Sequence, residues 1–156
     1  MDARMILSID RKMTAQQAEE VVDLAVKHRQ NTNDGANFVV GVDLCANPTK
    51  GGISQFTASF KRAKAYGLRI TVHFAEVPQS ATYAELETLL SWQPDCSGHV
   101  IQAPPKYAEI IKERKLGPEL CLSCNVLVKL TTGGFTTHHF RECRKTDCPI
   151  ALSVSV

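Results

Sequence analysis

The sequence contains a histidine followed three residues later by a glutamate, His73-Phe-Ala-Glu76, at the end of the apolar run 68–73. Alternate residues of a strand share a face, so Arg69, Thr71 and His73 point to the opposite side from Leu68, Ile70 and Val72. If that face lines a barrel, His73 lies at its mouth. A neutral imidazole there suits zinc, and the nearby carboxylate suits proton transfer to a substrate. Spacing alone equally allows a surface histidine beside a carboxylate in the first turn of a helix.

Polar residues end four of the predicted strands: Asp10, Asp43, His73 and His99. The carboxyl ends of parallel strands meet at one edge of a sheet and form the active face of α/β enzymes. Each residue alone could be a helix cap or a solvated loop residue. Four of them at equivalent positions favour a shared site.

A second group of candidate ligands has the spacing of a small zinc finger: Cys121, Cys124, His138 and Cys143. Two observations weigh against this site. The cysteine pair lies in a strand-like run, where residues three apart point to opposite faces. The following segment 125–130 is also apolar enough to belong to a larger core. A non-catalytic fragment or zinc-binding interaction module that uses these four residues remains the alternative function.

The elements that would position these residues alternate between short apolar runs and longer amphipathic stretches. Two capping boxes, Thr14 with Gln17 and Thr82 with Glu85, mark helix starts. This repeating pattern predicts an α/β fold with a parallel sheet covered by helices. Strands are predicted over 5–10, 38–43, 68–73, 97–101 and 118–122, with a sixth over 149–154.

Composition restricts the class of protein. The chain has 156 residues, of which 44% are hydrophobic and 22% charged, so it is long enough and apolar enough for one globular domain. A net charge of +2 implies no nucleic-acid partner, and no apolar run reaches the length of a membrane span. The start of the chain is too short and too charged for a signal peptide, so the six cysteines are expected to be free thiols in the cytoplasm.

An ordered set of short motifs resembles the adenosine deaminase superfamily over nearly the whole chain. The Ser-Ile-Asp-Arg run and the His-x-Ala-Glu form resemble its adenosine deaminase-like branch, which acts on N6-methyl-AMP. The motifs are Leu7-Ser-Ile-Asp-Arg11, Gly41-Val-Asp-Leu44 with Asn47-Pro48, His73-Phe-Ala-Glu76, Gly98-His99, Glu119-Leu-Cys-Leu122 with Asn125, and His138-His-Phe140.

The resemblance implies a zinc-dependent hydrolase that deaminates adenosine or N6-methyl-AMP. By resemblance, His73 is a ligand of a single Zn²⁺, Glu76 is the general acid that protonates the purine ring, and His99 orients and helps deprotonate the water. Asp43 is a support residue in the pocket floor. The implied partner is a small purine nucleoside or nucleotide, with no nucleic acid or membrane, and the full-length family member is expected to be a monomer.

The chain departs from the family pattern in its zinc ligands. A (β/α)8 barrel typically needs about 250 residues, and the motifs present match the third to the eighth strand. No His-x-His pair occurs, and Ser153 and the next two residues stand where the family has Thr-Asp-Asp. Of four protein zinc ligands, only His73 is inherited. We therefore expect one incomplete deaminase domain over 1–156, with a divergent tail over 154–156, that is inactive alone.

Two family glycines are also replaced. Ala46 stands where the family has a glycine whose backbone faces the purine, and Val100 stands for the glycine after the sixth-strand histidine. Ala46 is therefore expected to lie against the substrate.

Overall fold

A computed structural model describes residues 3–29, 38–50 and 52–153, and within them the chain forms one sheet of six parallel strands. The strands follow one another across the sheet in chain order. This confirms the predicted α/β class and all six predicted strands, although the last is only two residues long. The tail predicted over 154–156 lies outside the described residues. The strands are β1 (Met5–Asp10), β2 (Val39–Cys45), β3 (Arg69–Phe74), β4 (Cys96–His99), β5 (Gly117–Leu120) and β6 (Ala151–Leu152).

Helices connect successive strands, and the first three of them pack against the sheet. Of the helices that the structure describes, none combines the length and the apolar character needed to span a membrane. The helices are α1 (Ala15–Arg29), α2 (Thr57–Ala65), α3 (Tyr83–Ser91), α4 (Pro105–Glu113), α5 (Leu122–Leu127) and α6 (Phe140–Cys143), with 3₁₀ turns at Ile53–Phe56, Pro78–Ser80 and Gly134–Thr137.

Helix α1 begins where the capping box predicts. The backbone N–H of Gln17 donates to Oγ1 of Thr14 at 3.2 Å, and the N–H of Thr14 donates to Oε1 of Gln17 at 2.8 Å. The helix then buries Ala18, Val22 and Ala25 completely. Residues spaced by four and three lie on one face of a helix, so this face packs against the sheet.

The core lies between the sheet and the helices. Ile70 and Val72 of β3 are fully buried on this side. The rings of Phe60 and Trp92 stack with centroids 4.3 Å apart, and Nε1 of Trp92 donates to Oγ1 of Thr57 at 3.1 Å. The apolar face of β3 is thereby used for packing, which leaves the opposite face, with His73, for the concave side of the sheet.

The second predicted capping box is only half formed. The N–H of Glu85 donates to Oγ1 of Thr82 at 3.4 Å, but the Glu85 carboxylate binds the guanidinium of Arg11 at 2.8 Å. A charge-assisted bond to a buried guanidinium is stronger than a bond to a backbone amide. The glutamate therefore joins the loop after β1 to the start of α3.

The segment after β5 is a helix, and the prediction that Cys121 and Cys124 lie in a strand is wrong. The β5 strand ends at Leu120, where β6 also ends, so no further residues are paired. The chain then turns into α5, and the N–H of Asn125 donates to the carbonyl of Cys121 at 2.9 Å. The apolar residues that suggested a core segment are exposed, Leu127 by 76% and Val128 by 58%. Short apolar runs do not distinguish strands from helices.

Candidate active site

Three side chains meet at the carboxyl edge of the sheet. His73 of β3 pairs in register with Gly98 of β4, so His99 lies one position further along the neighbouring strand. Ligand atoms of His73, Glu76 and His99 all lie within 4.8 Å of one another. The prediction that both histidines share one edge is confirmed.

Glu76 lies between the two imidazoles. Its Oε2 is 3.8 Å from Nδ1 of His73, and its Oε1 is 3.8 Å from Nε2 of His99. The two rings meet edge to face with centroids 4.9 Å apart. One carboxylate therefore faces two potential proton donors or metal ligands.

Strained backbone positions these groups. Ala75, His99 and Val100 have φ values of 47°, 62° and 55°, in the left-handed region that costs non-glycine residues about 1–2 kcal/mol each. The turns are held by bonds between neighbouring loops, including Val100 N–H to the Phe74 carbonyl at 3.0 Å and Gln102 N–H to the Ala75 carbonyl at 2.7 Å. Such strain concentrates at functional sites.

The site favours a neutral His73. Burial, followed by the charges of His99 and Arg11, lowers the pKa of His73 to about 4. Its Nδ1 and the Oε2 of Glu76 are buried, and neither has a hydrogen-bond partner within the described part of the chain. Unpaired buried polar atoms require a reason. An uncharged imidazole beside an unpaired carboxylate oxygen is able to hold a metal ion.

A series of buried polar side chains, linked by hydrogen bonds, contacts His99 through its Nδ1. Nδ1 of His99 lies 3.1 Å from the carboxamide of Asn125, and the other end of that carboxamide lies 3.2 Å from Nε2 of His138. Nε2 of His139 lies 2.6 Å from the carbonyl of His99. The sequence predicted no role for Asn125 or His139, and His138 was predicted only as a ligand of the zinc finger. The available signal for Asn125 was its polarity within the apolar segment 125–130.

Asp43 lies deeper on the concave face. It pairs with Thr71 in the sheet, two residues before His73 and so about 6.6 Å below it. The hydroxyl of Ser8 donates to Asp43 at 3.4 Å. Burial, followed by the charge of Glu119, raises the pKa of Asp43 to about 7. Asp43 is therefore outside the three-residue cluster but on the same face of the sheet.

Ala46 follows the end of β2 with a φ of 74°. Ala46 and Val100, the two residues that replace family glycines, both adopt the left-handed conformation that glycine accepts without a Cβ penalty.

The four residues of the proposed zinc finger do not form a site. Among the described residues, the cluster at His73 is the only group in which three histidine, cysteine or acidic ligand atoms approach within 4.8 Å. His138 is bonded to Asn125 instead. All six cysteines are free, as predicted.

Comparisons with known proteins agree with this geometry. The Adenosine deaminase family model matches residues 1–154. The N6-mAMP deaminase of Arabidopsis thaliana is 32% identical over 149 residues, which are 96% of this chain and 39% of that protein. The chain therefore spans about two fifths of the length of this curated relative.

Solved structures give the same result. The crystal structure of Arabidopsis ADAL complexed with IMP matches with a TM-score of 0.84 at 32% identity, covering 96% of this chain and 41% of that one. The complex of ADAL with GMP matches with a TM-score of 0.86 at 32% identity, covering 97% and 42%. The six parallel strands thus correspond to part of a (β/α)8 barrel, which confirms the predicted fold class.

Proposed function

Because the chain belongs to the adenosine deaminase family, we propose that His73, Glu76 and His99 serve the hydrolytic deamination of a purine. The proposed substrate class is a purine nucleoside or nucleotide with an amino or methylamino group at C6, such as adenosine or N6-methyl-AMP. Support comes from the relative named N6-mAMP deaminase and from Arabidopsis ADAL, whose structures were solved with IMP and with GMP. The reaction takes up water at C6 and releases ammonia or methylamine.

The metal in this proposal is zinc, held by His73. The fit rests on the neutral imidazole and on the unpaired buried atoms of His73 and Glu76. When bound, zinc supplies a water whose pKa is lowered from about 15.7 towards about 7.

The remaining steps are assigned to the chain's own side chains. Glu76, which faces both imidazoles, donates a proton to a purine ring nitrogen and so makes C6 more electrophilic. His99 holds the attacking water in line with C6. The proton that Glu76 gives up is replaced from the water as the amine leaves.

Two further residues have supporting roles in the proposal. Asp43, with its raised pKa, supports the floor of the pocket below His73. Ala46 presents its backbone to the purine from the end of β2.

The six free thiols favour a reducing compartment, and we therefore assign the protein to the cytoplasm.

We further propose that this chain is one incomplete domain and is inactive by itself. Catalytic zinc typically has three protein ligands. Among the described residues, the cluster provides His73 together with two groups that the reaction needs for other purposes. Zinc affinity is therefore expected to be low.

The observation that carries the proposed function is the carboxylate of Glu76 between two imidazoles. To test the site, the ¹⁵N-labelled chain is titrated with zinc and then with IMP, and the imidazole signals are followed by NMR. We expect both additions to shift the signals of His73 and His99, with the zinc effect on His99 lost in His73→Ala and kept in His28→Ala. A His73 signal unchanged by both additions would remove the proposed site.

A further inference from the structure

The polar chain behind His99 ends on a backbone amide. The N–H of Phe140 donates to Nδ1 of His138 at 3.0 Å. Asn125, His138 and His99 are exposed by only 0%, 2% and 5%. Buried groups that cannot exchange partners with water have their donors and acceptors set by one another.

The amide fixes the tautomer of His138. A backbone N–H can only donate, so Nδ1 of His138 must accept. Burial lowers the pKa of His138, which keeps the ring neutral. A neutral imidazole that accepts at Nδ1 carries its proton on Nε2, and this N–H then donates to the carboxamide of Asn125.

The orientation of the Asn125 carboxamide then determines which nitrogen of His99 accepts a hydrogen bond. If Oδ1 of Asn125 faced His99, at 3.1 Å, and Nδ2 faced His138, at 3.2 Å, Nε2 of His138 would have to accept a hydrogen bond from Nδ2. A neutral imidazole has only one acceptor nitrogen, and in His138 that nitrogen is already Nδ1. The two ends of a carboxamide are nearly isosteric, and the network assigns them. The oxygen therefore faces His138, and the NH₂ group donates to Nδ1 of His99.

We propose that Asn125 and His138 are positioning residues that hold His99 in the tautomer protonated on Nε2. That N–H faces the carboxylate of Glu76, whose Oε1 is 3.8 Å away. In the deamination proposed above, on which this consequence rests, His99 orients the water by donating to its oxygen. In this tautomer Nε2 does not accept the proton of the water, so the role of proton acceptor falls to Glu76.

Imidazole tautomers are read directly from the ¹⁵N shifts of the ring nitrogens in long-range ¹H–¹⁵N spectra. The experiment uses the labelled full chain without substrate and with zinc removed by a chelator. We expect a protonated-type shift at Nε2 and an unprotonated-type shift at Nδ1 for both His99 and His138. The reverse pattern at either residue overturns the proposal.

Asn125→Asp tests the direction of the relay. Aspartate still accepts from His138 but offers no donor to His99, so His99 should move its proton to Nδ1. We expect the two ¹⁵N shifts of His99 to exchange while those of His138 stay. Asn47→Asp, in the loop after β2, is the matched control and should leave both residues unchanged. A His99 whose Nδ1 stays unprotonated in Asn125→Asp overturns the proposal.

Folding and function are kept separate in this design. The unmodified chain decides the tautomer even if Asn125→Asp fails to fold, and the exposed His28 provides an internal reference. Because neither zinc nor a purine is present, a failure of the deaminase proposal leaves the tautomer result intact. Conversely, a wrong tautomer leaves the zinc and IMP titrations of His73 valid.

Discussion

Oε1 of Glu76 lies 3.8 Å from Nε2 of His99, although Glu76 follows β3 and His99 is the last residue of β4. The same carboxylate lies 3.8 Å from Nδ1 of His73 through its other oxygen. One carboxylate therefore lies at the same distance from both imidazoles, each facing a different oxygen.

The first prediction concerns catalysis by the chain alone. Supplied with zinc and N6-methyl-AMP, it should show at most the rate that general acid–base catalysis gives, about 10²–10⁴-fold above the uncatalysed reaction. Release of IMP and methylamine, followed by chromatography, measures that rate.

Glu76→Gln should reduce any such rate to background, whereas Glu113→Gln on the exposed side of α4 should not. Enzymatic turnover that His73→Ala and Glu76→Gln abolish would show that the chain is active by itself.

The second prediction is a pH dependence of stability at Asp43. Its pKa is about 7 in the folded chain and about 3.9 when unfolded. The folded state therefore keeps a proton that the unfolded state has lost. The stabilisation from this proton is complete below about pH 4, declines as the pH rises, and is lost above about pH 7.

Asp43→Asn should therefore gain stability relative to the natural chain across pH 4–7, by up to a few kcal/mol, in urea unfolding at several pH values. Asp147→Asn, at an exposed position, is the control. His73 has the opposite pH dependence, because its pKa falls to about 4 on folding. Its contribution to the free energy of unfolding is lost as the pH drops from 6.5 to 4. A constant difference between Asp43→Asn and the natural chain would contradict the raised pKa.

The third prediction concerns the strained turn at Ala46. Glycine adopts a φ of 74° freely, so Ala46→Gly should stabilise the fold by about 1 kcal/mol. The same change at Ala108, exposed within α4, should instead cost about 1 kcal/mol. Thermal unfolding of both variants measures the contrast, and a destabilised Ala46→Gly would argue against strain at this turn.

The fourth prediction concerns the buried ion pair of Arg11 and Glu85, whose side chains are exposed by only 0% and 8%. Glu85→Gln leaves a buried guanidinium without its counter-charge and should cost about 3–5 kcal/mol in urea unfolding. Glu142→Gln breaks the exposed pair with Lys145 and should leave the free energy of unfolding almost unchanged. Equal costs for the two changes would mean that burial adds nothing to the pair.

The sequence predicted the groups that local patterns determine. The apolar runs located the strands, and the spacing of His73 and Glu76 predicted that the two side chains lie close together, because both depend on short stretches of chain. It could not predict the contact between Glu76 and His99, which depends on the register of two strands and on left-handed turns at non-glycine residues.

The contact of Asn125 with His138 was also beyond local patterns. Thirteen residues separate the two, and the bond forms only because α5 and the turn at Gly134–Thr137 bring them together. An apolar run at 125–130 concealed a helix whose buried residue is the polar one, Asn125. Burial of that amide is decided by tertiary packing and not by the hydropathy of its neighbours.

The order of the strands also has a consequence for how the chain folds. Each strand pairs with the strand that precedes it in the chain, so every sheet contact joins strands that are neighbours in sequence. Contacts that are close in sequence form quickly, and units that contact only their neighbours add one at a time. The bond between Asn125 and His138 joins elements that follow β5. During synthesis its residues emerge after β1 to β5, so a nascent chain would carry His73 and Glu76 in place before the tautomer of His99 is set.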